Sequence, residues 1–85
     1  MLAILERAKR YPLLARHRGI EGTVEVAFLI NPDGRLSDPE VVASSNHRML
    51  DEATLTMLRR VGVLPPPPDR ETIRFPARIQ YQIAP

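Results

Sequence analysis

The sequence predicts an α+β fold, two helices packed on a small three-stranded antiparallel sheet in the order α-β-β-α-β, and three patterns carry that prediction. Residues 73–83 alternate strictly: Ile73, Phe75, Ala77, Ile79, Tyr81 and Ile83 point one way, and Arg74, Pro76, Arg78, Gln80 and Gln82 the other. Residues 22–30 do the same, with Val24, Val26, Phe28 and Ile30 opposite Thr23, Glu25, Ala27 and Leu29. Between these segments, Leu50, Ala53, Leu55, Met57, Leu58 and Val61 recur close to helical spacing. A period of two marks a strand with one face on a core and the other in water, whereas a repeat of three to four marks an amphipathic helix.

In chain order, Leu2, Ile4, Leu5 and Ala8 line one side of a short helical leading segment, residues 1–10. Residues 11–85 form the domain proper. Pro12 suits the first turn of a second short helix, where a missing N–H costs nothing. Gly19 follows Arg16, His17 and Arg18 as its C-terminal stop, and the helix dipole accounts for the basic last turn. Gly22 opens the first strand. Asn31-Pro32-Asp33-Gly34 then gives a turn, with proline fixing φ and glycine accepting φ > 0. A second strand runs from Arg35 to about Ala43, made irregular by Pro39 and by the charges of Asp38 and Glu40, as an exposed edge would be. Ser44, Ser45 and Asn46 are N-cap candidates for the next helix, which places Asp51 and Glu52 early and Arg59 and Arg60 late before Gly62. Residues 65–68 are four prolines, a stiff polyproline II connector into the last strand. The expected core is Val24, Val26, Phe28, Leu50, Leu58, Ile73, Phe75, Ile79 and Tyr81.

At 85 residues the chain is one small domain. Such a chain buries roughly 60–68% of the surface its unfolded form exposes, so its stability is modest. Cysteine is absent, which excludes disulfides, thiolate metal sites and cysteine nucleophiles. The net charge is only +2, and the tightest basic group is Arg7, Lys9, Arg10, Arg16, His17 and Arg18. A nucleic-acid binder more often concentrates its cations on one face with aromatics for stacking, so no nucleic-acid partner is expected. No apolar run approaches the roughly 20 residues that cross a bilayer, and residues 1–10 carry too many charges for a signal peptide.

The two histidines, His17 and His47, lack companions at metal spacing, so neither a metal nor a cofactor is expected. Ser44 or Ser45 with His47 and Asp51 has the composition of a hydrolytic triad. No nucleophile turn or oxyanion hole accompanies it, and capping accounts for the serines. Glycine is scarce and no phosphate loop is present. The chain reads as a docking module with no catalytic residues.

Pro76 locates the docking surface. A strand residue directs its N–H and C=O to the same side, and successive residues alternate sides. Proline has no N–H to give, so it belongs at a sheet edge with its backbone outward. By that parity Arg74, Pro76, Arg78, Gln80 and Gln82 face the open edge, the candidate partner-binding residues, and the intervening residues bond inward, most simply to the first strand. An open edge can template another chain, so an edge-strand dimer is one outcome. A monomer is expected in dilute solution, because Arg74 and Arg78 would meet their own counterparts.

Taken in order, Tyr11-Pro12, Ala15, Gly19, Gly22-Thr23-Val24, Phe28, Ile30, Asp33-Gly34, Ser44-Ser45, Leu50-Asp51 and Ala53 form a set that resembles the TonB C-terminal domain family. The proline run and the alternating last strand also fall where that family has them. Two places depart from it: Val61 and Val63 stand where its best-known members carry aromatics, and Ala8 or its neighbours where a glutamine precedes the Tyr-Pro pair. The resemblance implies a periplasmic domain, joined through a proline-rich spacer to an inner-membrane anchor, so that this chain is an excised part. It implies a proton-driven inner-membrane motor complex as one partner. The other is the TonB box of outer-membrane receptors for iron chelates, haem or cobalamin, added as a strand beside the last strand. Two other readings are an adaptor of the same fold that transmits no force, structural or signalling in role, and, more remotely, a small nucleic-acid-binding module.

Overall fold

The computed structural model describes residues 2–83. Helices α1 (Leu2–Ala8) and α2 (Leu13–His17) precede strands β1 (Gly22–Ile30) and β2 (Leu36–Ala43), followed by helix α3 (Arg48–Val61) and strand β3 (Ile73–Tyr81). The sheet is antiparallel in the order β2-β1-β3, so the first strand is central and both later strands are edges. The α+β class read from the sequence is that of the folded chain, and the α-β-β-α-β order holds from α2 onward, with α1 a third helix supplied by the leading segment.

One face of the sheet is covered by helices. Val24, Val26, Phe28 and Ile30 of β1, Ala77, Ile79 and Tyr81 of β3, and Leu50, Met57 and Leu58 of α3 are buried together with Leu5, Ala15 and Leu64. Two expected core residues sit less deeply. Ile73 is 39% exposed and Phe75 half-buried, because they begin an edge strand with no neighbour beyond it, while Ile30 and Phe28 opposite them on central β1 are fully buried. Phe75 still packs on Phe28, with ring centroids 5.7 Å apart. In α1, Leu5 is fully buried, but Ile4, one position back and so about 100° round the helix, is 38% exposed. The Leu2 side chain, Met1 and residues 84–85 lie outside the described residues.

The core also contains a polar tie that periodicity did not reveal. Thr54, fully buried on α3, lies 2.8 Å from the carbonyl of Leu50 and 2.9 Å from the Tyr81 hydroxyl. Burial raises the Tyr81 phenol above its ordinary value of 10, with the Thr54 hydrogen bond opposing. Tyr11 meets the Tyr81 ring edge-on at 5.5 Å, and its own hydroxyl donates to the carbonyl of Ile20. The Tyr-Pro pair thus fastens α2 to the end of β3. Gly19, at φ 68°, closes α2 as expected, with the Ile20 and Gly19 amides donating back to Ala15 and Arg16.

The start of α3 differs from the sequence reading. His47, in extended conformation, is the N-cap, and its side chain makes no capping bond. The two serines are recruited by Asp51 instead. Ser44 donates to one carboxylate oxygen, while the amide and hydroxyl of Ser45 approach the other at 3.0 and 2.8 Å. The His47 amide in turn donates to Ser45 Oγ at 3.1 Å. A carboxylate accepts more hydrogen bonds than a hydroxyl, so a charge one turn into the helix organises the approach better than a single serine cap. Burial opposes ionisation of Asp51, but the bonds from Ser44 and Ser45 outweigh it and hold its carboxyl below the ordinary 3.8.

The turn after β1 is as read: the Gly34 amide donates to Asn31 at 2.8 Å, and the Arg35 amide to Asp33 Oδ1 at 3.0 Å. Its glycine has a further reason. A Cβ on Gly34 would stand 2.1 Å from the Leu64 carbonyl oxygen, and φ there is +89°. The chain leaving α3 is laced onto this turn, with Leu64 donating to Gly34 and Leu36 to Gly62, each at 2.8 Å. Arg35, expected to open β2, forms an isolated bridge with Val63 instead.

Two expectations follow. Gly34→Ala should lose more than about 2 kcal/mol, since left-handed strain and a backbone collision add, and melt at least roughly 10 °C lower. Gly19→Ala carries similar strain at φ 68° but meets nothing within 4 Å, and should lose only about 1 kcal/mol. Equal losses in thermal melts would refute the Leu64 explanation. For Asp51, a carboxyl depressed on folding adds stability above its unfolded pKa, and that share is lost as pH falls through the lower folded value. Asp51→Asn should therefore unfold more easily at neutral pH by about 1–2 kcal/mol and show a shallower loss of stability below about pH 4. Parallel acid limbs in urea titrations of parent and variant would exclude this clamp.

Candidate docking edge

The two edges of the sheet are built differently. Against β1, β2 slips register twice, carries Pro39, and has Asp38 at φ 49°. Such breaks twist an edge away from regular pairing. β3 pairs with β1 through nine consecutive positions with no slip, from Ile73 opposite Ile30 to Tyr81 opposite Gly22.

Parity along β3 follows from Pro76, which lies opposite Ala27. Facing residues in an antiparallel pair alternate between those that exchange both backbone bonds and those that exchange none. Proline cannot complete the first kind, so 27/76 is the second kind. Phe75, Ala77, Ile79 and Tyr81 then bond to β1, and Arg74, Arg78 and Gln80 turn their N–H and C=O outward. The Gln80 carbonyl gives an independent check: it accepts from Lys9 Nζ at 2.6 Å, which requires it to face away from β1.

Arg74, Pro76, Arg78, Gln80 and Gln82 are all exposed. On the uncovered face of the sheet Arg74 bonds Glu40 of β2 at 2.7 Å, and Arg78 lies 3.6 Å from Glu25 of β1. These cross-strand pairs flank a shallow groove floored by Ala27 and walled by Val42 and Pro76. They also hold the two guanidinium groups over the sheet, clear of the edge. Exposed ion pairs of this kind contribute little stability, about 0–1 kcal/mol, so their effect is on position. Gln82 lies just past the end of β3, its amide side chain within 3.4 Å of that of Gln80. Beyond it the Ile83 amide donates to Glu21 at 2.7 Å and ties the chain down.

Lys9 is the residue at this edge that the alternating pattern could not supply, since it comes from the leading segment. Its ammonium also lies 3.1 Å from Glu6 Oε2 and 5.7 Å from the centre of the Tyr81 ring. The Ser44, Ser45, His47 and Asp51 group is resolved as the helix clamp described above, with Ser45 bonded to the His47 backbone rather than to its imidazole. No helix among the described residues is long and apolar enough to cross a membrane.

Comparison with known proteins agrees with this architecture. A TonB protein of Helicobacter pylori strain J99 is 42% identical over 74 residues, covering 87% of this chain, and one of Pseudomonas putida is 39% identical over 64 residues, covering 75%. The chain spans 26% of the length of each. The solution structure of the Helicobacter pylori TonB C-terminal domain superposes with a TM-score of 0.85 at 36% identity, covering 99% of this chain and 78% of that one. The family described as Gram-negative bacterial TonB protein C-terminal matches residues 7–83. With fold, ordered motifs and sequence in agreement, this chain belongs to the TonB C-terminal domain family.

Proposed function

We propose that this domain is the receptor-docking end of a TonB-type energy transducer. In this reading the full-length protein is anchored in the inner membrane, its motor complex draws on the proton-motive force, and this domain works in the periplasm without catalysis. It captures the TonB box of an outer-membrane receptor for an iron chelate, haem or cobalamin by taking it as a fourth strand beside β3. The observation that carries the reading is the regular outer edge of β3, whose outward backbone groups at Arg74, Pro76, Arg78 and Gln80 follow one another without a bulge. β2 offers no comparable run.

The chemistry of such an edge is that of the backbone. Each added strand residue that pairs brings one or two main-chain bonds, and the side chains along it set preference. At Pro76 one donor is missing, so an incoming strand loses a bond there and its register is set from Arg78 toward Gln82. The Arg74–Glu40 and Arg78–Glu25 pairs keep long cations from blocking the approach. Because the binding groups are uncharged peptide units, affinity should depend weakly on salt, unlike the steep dependence of nucleic-acid binding.

Proline substitution separates edge from core. Gln80→Pro removes an outward N–H and should weaken binding of a TonB-box peptide at least about tenfold in calorimetric titration, with a thermal melt close to that of the parent. Ile79→Pro removes an inward bond to β1 and should abolish the cooperative melt. Unchanged binding by Gln80→Pro, or unfolding by it while Ile79→Pro stays folded, would contradict the edge assignment.

A further inference from the structure

The C-terminal half of the β3 edge is not bare. Lys9 Nζ donates to the Gln80 carbonyl at 2.6 Å, and no other outward carbonyl of β3 accepts a side-chain bond among the described residues. The ammonium reaches that oxygen from the helical side of the sheet, since it passes the ring of Tyr81, which is buried on that side. Glu6, 3.1 Å from the same ammonium, lines a dent with Thr23, Arg78 and Gln80, whose side chains lie on the opposite side. The Glu6–Lys9 pair therefore wraps around the edge at Gln80.

The segment that carries this pair is held in place independently. Leu5 is fully buried in the core, and the Arg60 guanidinium donates to the carbonyl of Ala8, the last residue of α1. Lys9 continues the helix hydrogen bonding, its amide donating to Leu5 at 3.0 Å. Its charge is thus delivered to one carbonyl by a pinned backbone, and only 24% of its side chain is exposed. A neighbouring strand lies about 4.8 Å away and places an N–H about 2.9 Å from each carbonyl it pairs with. The ammonium already stands within that distance of the Gln80 oxygen.

We propose that Lys9, steadied by Glu6, is a latch on the β3 edge that an incoming strand must displace. The inference rests on the docking reading above and adds to it a condition: pairing along Arg74 to Arg78 stops short of Gln80, and the half of the edge that fixes register is gained only when Lys9 leaves. The leading segment then sets which partners dock, because a strand too short or too weak to displace Lys9 gains only the first half of the edge. Displacement also frees the ammonium beside the new strand, where it is available to a carboxylate of the partner.

The test compares the parent with Lys9→Met, which keeps the apolar stem on Tyr81 and the helix propensity but removes the donor, and with Arg7→Met as a charge control on the same helix. In the free proteins, the Gln80 carbonyl carbon resonance should shift in Lys9→Met and not in Arg7→Met. In calorimetric titration with a receptor TonB-box peptide, Lys9→Met should bind about fivefold or more tightly than the parent, Arg7→Met like the parent, and Glu6→Gln in between. An unmoved Gln80 carbonyl, or equal or weaker binding by a Lys9→Met protein with a parental melt, overturns the latch while leaving the docking reading intact. A peptide that binds none of the proteins overturns the docking reading, and the latch with it.

Discussion

A sheet of three strands has one strand with two neighbours and two with one, and everything else in this domain is arranged around that constraint. β1 holds the middle, so its inner face can be wholly apolar and its register against β3 unbroken. The edges cannot both be hidden by so short a chain. One is made unattractive: β2 is bulged, kinked at Asp38, and bridged near its start by the segment that leaves α3. The other is kept straight and regular, lacking one N–H at Pro76 and carrying Lys9 on the Gln80 carbonyl. This asymmetry makes the outer edge of β3 the natural place for another chain.

The end of β3 is where the separate elements are joined. Tyr81 is reached by Thr54 from α3, by Tyr11 from the turn before α2, and by Lys9 from the end of α1. Three elements therefore share one side chain. The strand whose outer backbone faces solvent is thereby fixed from its inner side, which matters for a surface made of peptide groups: a template that frays offers no constant spacing. Affinity at such an edge is gained chiefly by order already present before binding.

How much of this was legible in the sequence depends on the range of the interaction. The strands, the turn at Asp33-Gly34, the stop at Gly62 and the outward set on β3 follow from spacing and from the special backbones of glycine and proline, which are local properties. The departures are all tertiary. Ser44 and Ser45 have the composition of caps, yet Asp51, a stronger acceptor, takes both. Ile73 fits the alternating pattern but begins an edge strand and stays exposed, though Ile30 opposite it is buried. Thr54 is polar on an apolar stripe, and only the position of Tyr81 across the core explains it. Gly34 reads as a turn residue, whereas the closest constraint on it comes from Leu64, thirty positions on. Lys9 lies in a segment whose role at the edge no periodicity could assign.

The pairing of β1 with β3 joins Ile30 to Ile73 and Gly22 to Tyr81, so the middle of the sheet is closed by the last of its three strands in chain order. Pairings so far apart in sequence form late, after the loops between them have been ordered. Until β3 arrives, β1 has one partner and the helices have only part of the core to cover. An incomplete or partly unfolded chain thus lacks the β3 edge, and the proposed docking surface doubles as a report that folding is finished. A partner that reads backbone spacing on β3 samples completed molecules and passes over the rest.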